Sequence, residues 1–323
     1  MERITTLKGT GRSRLEVKES EIQYLAYLEK HRVLTLQQLH TVATELFGVI
    51  LDSYSFKNRM RKFEQFKLIR SKQYADGFNG ERFKYVSIGI RAVDLLIENK
   101  LLDADFNQQN IYKYIRKENL LHYLVTQQAI INILLANQRE SYMYNQDIFS
   151  FSNSDYPYHD LIRKKSMVFG RNSGAQHAAI SSFKNGTSQK SKSNYRTYTI
   201  IKPDWVIKLD LEEDDLPSII NIEADMGTEP LATLEEKFWK YCILAKNRSH
   251  ERHLLLFVFP DKSFSNRSSF VLQKKRVKNF LNILNLQTNK KIMEEAKISV
   301  ATVPLSGSAE RSLLFFHGNE VKG

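Results

Sequence analysis

The chain has 323 residues, enough at roughly 100–200 residues per domain for two domains with a substantial core in each. Its 42% hydrophobic and 26% charged residues exclude a disordered or fibrous chain, and a single cysteine, Cys242, excludes a disulfide framework or a Cys-rich zinc site. Forty-eight Lys and Arg against 36 Asp and Glu give a net charge of +12, which makes a phosphate backbone the first partner to expect.

The longest apolar run, Leu254–Phe259, is strand-sized, and no charged-then-apolar leader opens the chain, so a cytoplasmic protein without a membrane span is expected. Residues 1–19 carry Lys8, Arg12, Arg14 and Lys18 with two glycines and read as a flexible basic tail. From Ser20-Glu21 a helical period begins, with Ile22, Leu25, Ala26 and Leu28 on one face. Thr35 is suited to cap a second helix through Leu36, Leu39, Val42, Ala43 and Leu46. The third helix starts near Asp52 and buries Phe56, Met60 and Phe63 at i, i+4, i+7. Two β-like runs follow, Leu68–Tyr74 and Arg82–Ile88, joined by a Gly- and Asn-containing turn at 76–80. Three helices and a hairpin are the order of a winged helix-turn-helix, expected over residues 20–102.

On the third helix the buried face leaves Lys57, Asn58, Arg61 and Lys62 outward, with Arg59 in the same basic run. Arg and Asn can read guanine and adenine edges, whereas Lys mostly neutralises phosphate. Arg82 and Lys84 add wing contacts to the backbone. Double-stranded DNA is therefore the expected partner of this half. A basic face on a module that binds protein instead is the alternative.

A helix near 89–99 leads into a second expected domain, 111–323, which opens with a long helical pattern over about 111–137. Residues 160–202 then hold nine Lys or Arg and one acid, whereas 203–236 hold eleven acids and one Lys. So abrupt a reversal suggests an acidic site beside a basic substrate track. Within the basic part, Gly170–Ser193 reads as a flexible loop. Two strands are expected around Lys202-Pro203-Asp204-Trp205 and Ile219–Asp225. Period-two alternation on the latter sets Ile220, Ile222 and Ala224 on one face and Asn221, Glu223 and Asp225 on the other. Three carboxylates, Asp204, Glu223 and Asp225, can converge on Mg²⁺ or Mn²⁺, which would activate water and stabilise a scissile phosphate. Lys237 and Tyr241, at i, i+4 on the next helix, point to one side. Nearer the C-terminus, 268–286 reads as a helix with a basic face, and Leu313–His317 as a last strand.

Other chemistries lack their residues. No His-hydrophobe-His clamp, no phosphate-binding Gly-x-x-x-x-Gly-Lys loop and no Gly-x-Ser-x-Gly turn occurs. His250 and His253 read as surface histidines, and the pairs Tyr112/Tyr114 and Tyr142/Tyr144 as core aromatics.

Pro203-Asp204 and Glu223 resemble the PD-(D/E)XK nuclease pattern, although Asp225 stands where that pattern has its lysine. Lys237 would then be the migrated lysine that supports charge on the phosphorane. A closer resemblance, over roughly 20–260, is to the replication-relaxation family of plasmid and mobile-element proteins. It is carried by "LLHYLVTQ" around His122, by "KPDWVI", and by "NIEADMGTEPLATLEEKFWKY" with Glu223, Asp225, Gly227, Thr228, Glu229, Lys237 and Tyr241. This resemblance implies a role in plasmid replication and DNA relaxation. The expectation is an α+β protein, an N-terminal winged helix-turn-helix followed by a PD-(D/E)XK-like α/β domain. Two roles stay open. One is metal-dependent DNA nicking by Asp204, Glu223, Asp225 and Lys237. The other is a non-catalytic operator- or origin-binding regulator whose second domain serves dimerisation, or binds other replication or mobilisation proteins.

Overall fold

The computed structural model of the chain describes residues 4–75, 82–112, 115–139, 148–152, 168–169, 196–197, 201–209, 216–261 and 274–316. The turn at 76–80, the basic loop 170–193, the acidic run 210–215 and the pair Tyr142/Tyr144 lie outside them. The protein is α+β and divides into two compact units, Met1–Tyr144 with Pro260–Val271, and Asn145–Phe259 with Leu272–Gly323.

The first unit opens with a hairpin where the sequence suggested a tail. Strands β1 (Ile4–Lys8) and β2 (Arg14–Lys18) pair antiparallel, with Leu7 opposite Leu15 and Lys8 opposite Arg14. Gly11, at φ +65°, makes the reversal, a conformation that suits a residue without Cβ. Leu15 and Val17 are buried, so the alternation Arg-Leu-Glu-Val-Lys, rather than the charge around it, decides the structure.

Helix α1 (Glu19–Lys30) follows directly, and the Glu21 carboxylate accepts the Lys18 backbone N–H at 3.0 Å. A two-residue strand β3 (Leu34–Thr35) leads to α2 (Leu36–Thr41). Thr35 caps it as expected: its Oγ1 accepts from Gln38 N at 3.0 Å, and Gln38 Oε1 accepts from Thr35 N at 2.9 Å. The helix continues as one π-helical turn, Val42–Leu46. Helix α3 (Ser53–Gln65) is capped by Asp52, which accepts from Tyr54 N and Ser55 N. It buries Phe56, Met60 and Phe63, as its period requires. Strands β4 (Ile69–Ala75) and β5 (Arg82–Ile88) form an antiparallel pair, and β3 joins through Leu34 opposite Val86. Helix α4 (Ile90–Glu98) closes a core that includes Tyr24, Leu25, Phe56, Phe63, Val86 and Leu96.

Helix α5 (Lys117–Arg139) belongs to this unit, not to a domain beginning at 111. Its Leu124 carbonyl accepts from Gln38 Nε2 at 2.9 Å, Tyr123 Oη donates to the His31 carbonyl at 2.9 Å, and Gln127 Oε1 lies 2.6 Å from His31 Nδ1. Polar side chains otherwise stranded by burial find their partners on this helix.

In the second unit the described sheet runs β12-β11-β10-β9-β6, from β6 (Ile148–Ser152), β9 (Trp205–Leu209), β10 (Ser218–Ala224), β11 (Arg252–Phe259) and β12 (Ile298–Pro304). Strands β10, β11 and β12 are parallel; β9 is antiparallel to both its neighbours. A separate short pair joins β7 (Val168–Phe169) and β8 (Arg196–Thr197). Helix α6 (Leu231–Asn247) connects β10 to β11, and α7 (Lys274–Leu284) with α8 (Gln287–Ala296) leads to β12. Phe238, Tyr241, Phe280 and Ile292 of these helices cover a sheet face made by Ile219, Leu255 and Phe257. Residues 308–316, part of which read as a strand, form helix α9 (Ser308–Phe316). His253, expected on the surface, is buried on β11 with Nε2 3.3 Å from Glu251.

Candidate functional site

Two places gather the side chains singled out by sequence, one in each unit. In the second unit, alternation along β10 turns Glu223 toward the helix-covered face, the side that also holds Ile219. There Glu223 is buried, and its Oε1 accepts from Tyr241 Oη at 2.6 Å. Its Oε2 lies 3.0 Å from Lys237 Nζ, which is also 3.0 Å from Glu229 Oε2. Lys237 and Tyr241 thus reach one carboxylate from successive turns of α6, as their spacing predicts. Asp204 stands at the entry to β9: its N–H donates to the Ile222 carbonyl and its Oδ2 accepts from Ala224 N at 2.8 Å.

Burial, and then the neighbouring Asp204 carboxylate, push Glu223 up to about 7, against the pull of Lys237 and Tyr241. For Lys237 burial opposes the charge, but Glu223 and Asp204 outweigh it and hold the ammonium above its ordinary value.

Asp225 does not join this group. Its Oδ2 lies 2.5 Å from Arg276 Nε and its Oδ1 3.0 Å from Arg276 Nη2, while Oδ1 also accepts from Gly227 N at 2.9 Å. Arg276 comes from α7, the basic helix near the C-terminus, and also donates to the Glu229 carbonyl. The expected set of Asp204, Glu223 and Asp225 therefore does not come together. Lys237 and Arg276 already neutralise two of its members, and among the described residues no three His, Cys, Asp or Glu side chains are disposed to hold a metal ion. The donor set does not fit a three-carboxylate Mg²⁺ or Mn²⁺ centre. Sequence could not show this, because Arg276 lies 51 residues beyond Asp225.

In the first unit, α3 presents Lys57, Arg61 and Lys62 exposed and Asn58 half-buried. Arg61 Nη1 donates to Asn58 Oδ1 at 3.0 Å, an i, i+3 pair on the outer face. Tyr54, 73% exposed, extends that stripe at i, i+3, i+4, i+7 with Lys57, Asn58 and Arg61; only its exposure, not its residue type, marks it. Arg59 departs from expectation. Its Nε donates to Glu21 Oε1 at 2.6 Å, its Nη2 reaches Glu21 Oε2 and the Glu16 carbonyl, and its guanidinium lies 4.9 Å from the Phe63 ring centre. A buried carboxylate and the face of a ring hold it against its own unit, whereas Lys57, Arg61 and Lys62 stand exposed. Arg82 and Lys84 are exposed on β5. A groove of about 400 Å³ runs between α3 and the sheet, lined by Lys57, Met60, Arg61, Phe83 and Lys84.

Among the described residues, no helix is long and apolar enough to cross a membrane. A family model described as replication-relaxation matches residues 25–257. No curated protein and no solved structure matched the chain.

Proposed function

The chain belongs to the replication-relaxation family, and from that premise we propose that it is a DNA-binding protein acting in the replication or relaxation of a plasmid or similar mobile element. The first unit acts as a winged helix-turn-helix. Helix α3 enters the major groove, Asn58 and Arg61 face base edges, and Lys57, Lys62, Arg82 and Lys84 neutralise phosphates. The observation that carries this reading is the division of α3 itself: Phe56, Met60 and Phe63 are fully packed while Lys57, Arg61 and Lys62 stand in solvent. Lys57→Ala with Arg61→Ala should weaken binding to a duplex from the chain's own neighbouring DNA by about tenfold or more and flatten its salt dependence. Unchanged affinity and slope would remove the assignment.

The second unit is read as a PD-(D/E)XK-like domain whose acidic site is held by side-chain cations rather than by a divalent ion. It serves assembly or DNA positioning, and duplex binding is insensitive to chelator. A second reading, strand nicking, is favoured by the adjacency of Asp204, Glu223 and Lys237. Supercoiled plasmid incubated with Mg²⁺, Mn²⁺ or EDTA, beside Asp204→Ala, separates the two: metal-dependent nicking lost in the variant supports the second reading, and intact supercoils in every lane support the first.

A further inference from the structure

The basic N-terminus is not spent on a tail. Period-two alternation sets Ile4, Thr6 and Lys8 of β1 and Arg14, Glu16 and Lys18 of β2 on the outer face of the first hairpin, opposite buried Leu15 and Val17. The hairpin lies along α3. At one end Arg59 of α3 holds the Glu16 carbonyl; at the other, Arg91 Nη2 donates to the Lys8 carbonyl at 3.0 Å and Gly9 packs on Phe66, the residue that ends α3. A groove of about 770 Å³ separates the two, lined by Ile4, Glu16 and Lys18 on one bank and Ser55, Asn58 and Lys62 on the other. The outer hairpin face and the polar face of α3 therefore open onto the same space.

Lys8, Arg12 and Arg14 are exposed, and among the described residues none of their side chains makes an ion pair. Lys8 and Arg14 are also directly opposite each other across the strands, a like-charge pairing that disfavours the hairpin by itself. Such a pairing becomes favourable when an anion lies over both.

We propose that the β1–β2 hairpin is a second wing, contacting the DNA phosphate backbone through Lys8, Arg12 and Arg14 on the side of α3 opposite to β4–β5. The proposal rests on the DNA reading of α3. A helix about 10–12 Å across fills a major groove about 12 Å wide, so it has a phosphate rail on each side. The β4–β5 sheet, with Arg82 and Lys84, flanks α3 across one groove, and the first hairpin flanks it across the other. Its cations match a phosphate rail in charge, and its buried leucine and valine hold it in place before DNA arrives, so little ordering cost is left for binding.

The test is the full-length chain with Lys8→Gln, Arg12→Gln and Arg14→Gln together, titrated with duplex DNA over a range of salt. Affinity should fall about tenfold on specific and unrelated duplexes alike, and the slope of log K against log salt should shrink by about two to three. A charge-conserving variant, Arg12→Lys with Arg14→Lys, should keep the wild-type slope, which separates charge from folding. If the triple variant keeps both affinity and slope while Lys57→Ala with Arg61→Ala loses them, the second wing is overturned and the α3 reading stands. If the wild-type chain binds no duplex at any salt, both fall together.

Discussion

Glu223 and His31 are buried ionisable groups with opposite consequences for stability. Glu223 is raised to about 7 by burial and by Asp204. A carboxyl raised in the folded state contributes stability that is complete below its ordinary value near 4.5 and is lost as pH rises through about 7. Glu223→Gln keeps an acceptor for the Tyr241 hydroxyl and removes the buried charge, so the variant should be more stable than wild type at pH 8 and flatter between pH 5 and 8 in denaturant titrations. His31 is pulled down to about 3 by burial, with Gln127 working the other way. It stays neutral when folded, so stability is complete above its ordinary 6.5 and falls with pH toward about 3. At pH 5 the loss is on the order of 2 kcal/mol, and His31→Asn should remove most of that pH dependence. Arg59 gives a third test, because a cation held by Glu21 belongs to the fold. Arg59→Ala should cost on the order of 2–3 kcal/mol in stability while leaving the salt slope of DNA binding unchanged; a shrunken slope would return Arg59 to the interface.

At the scale of elements, the turn from α3 into the sheet is held by a close backbone approach from the start of α4. Lys67 adopts φ +60°, and Gly89, just before α4, donates to the Leu68 carbonyl at 2.8 Å. A Cβ on Gly89 would stand 2.2 Å from the Lys67 carbonyl oxygen, against backbone that cannot swing aside. Gly89→Ala should therefore destabilise the unit by about 1–3 kcal/mol, read as a lowered midpoint in thermal unfolding. The capped α2, the amphipathic α3 and the strand carrying Glu223 were all legible, because caps and side-chain periods are local properties. The first hairpin was written just as locally, in the alternation around Leu15 and Val17, but its cations obscured it. The π turn at Val42–Leu46 leaves no such mark, since it keeps the apolar spacing of a helix and changes only the backbone bonding.

Across the whole molecule, the unit that carries α3 extends to α5. A fragment ending near residue 110 would expose His31 and Gln38 and strip the patch made by Leu120, Leu124 and Tyr74. Such a fragment should melt well below one ending at 139, and equal melting would deny α5 its place in this unit. From sequence alone came the two-part α+β organisation, the net positive charge, the outward face of α3, the order Asp204, Glu223, Lys237, Tyr241, and the resemblance to the family that matches residues 25–257. Only the tertiary structure decided which charged groups were still available for a partner. Arg59 went to Glu21, 38 residues away, and Asp225 went to Arg276, 51 residues away. Periodicity fixes which side of its own element a side chain occupies. Whether a charge there meets solvent, a nucleic acid or an opposite charge depends on what the rest of the chain brings to that side, because a partly buried ion must be paired and the nearest competent partner takes it.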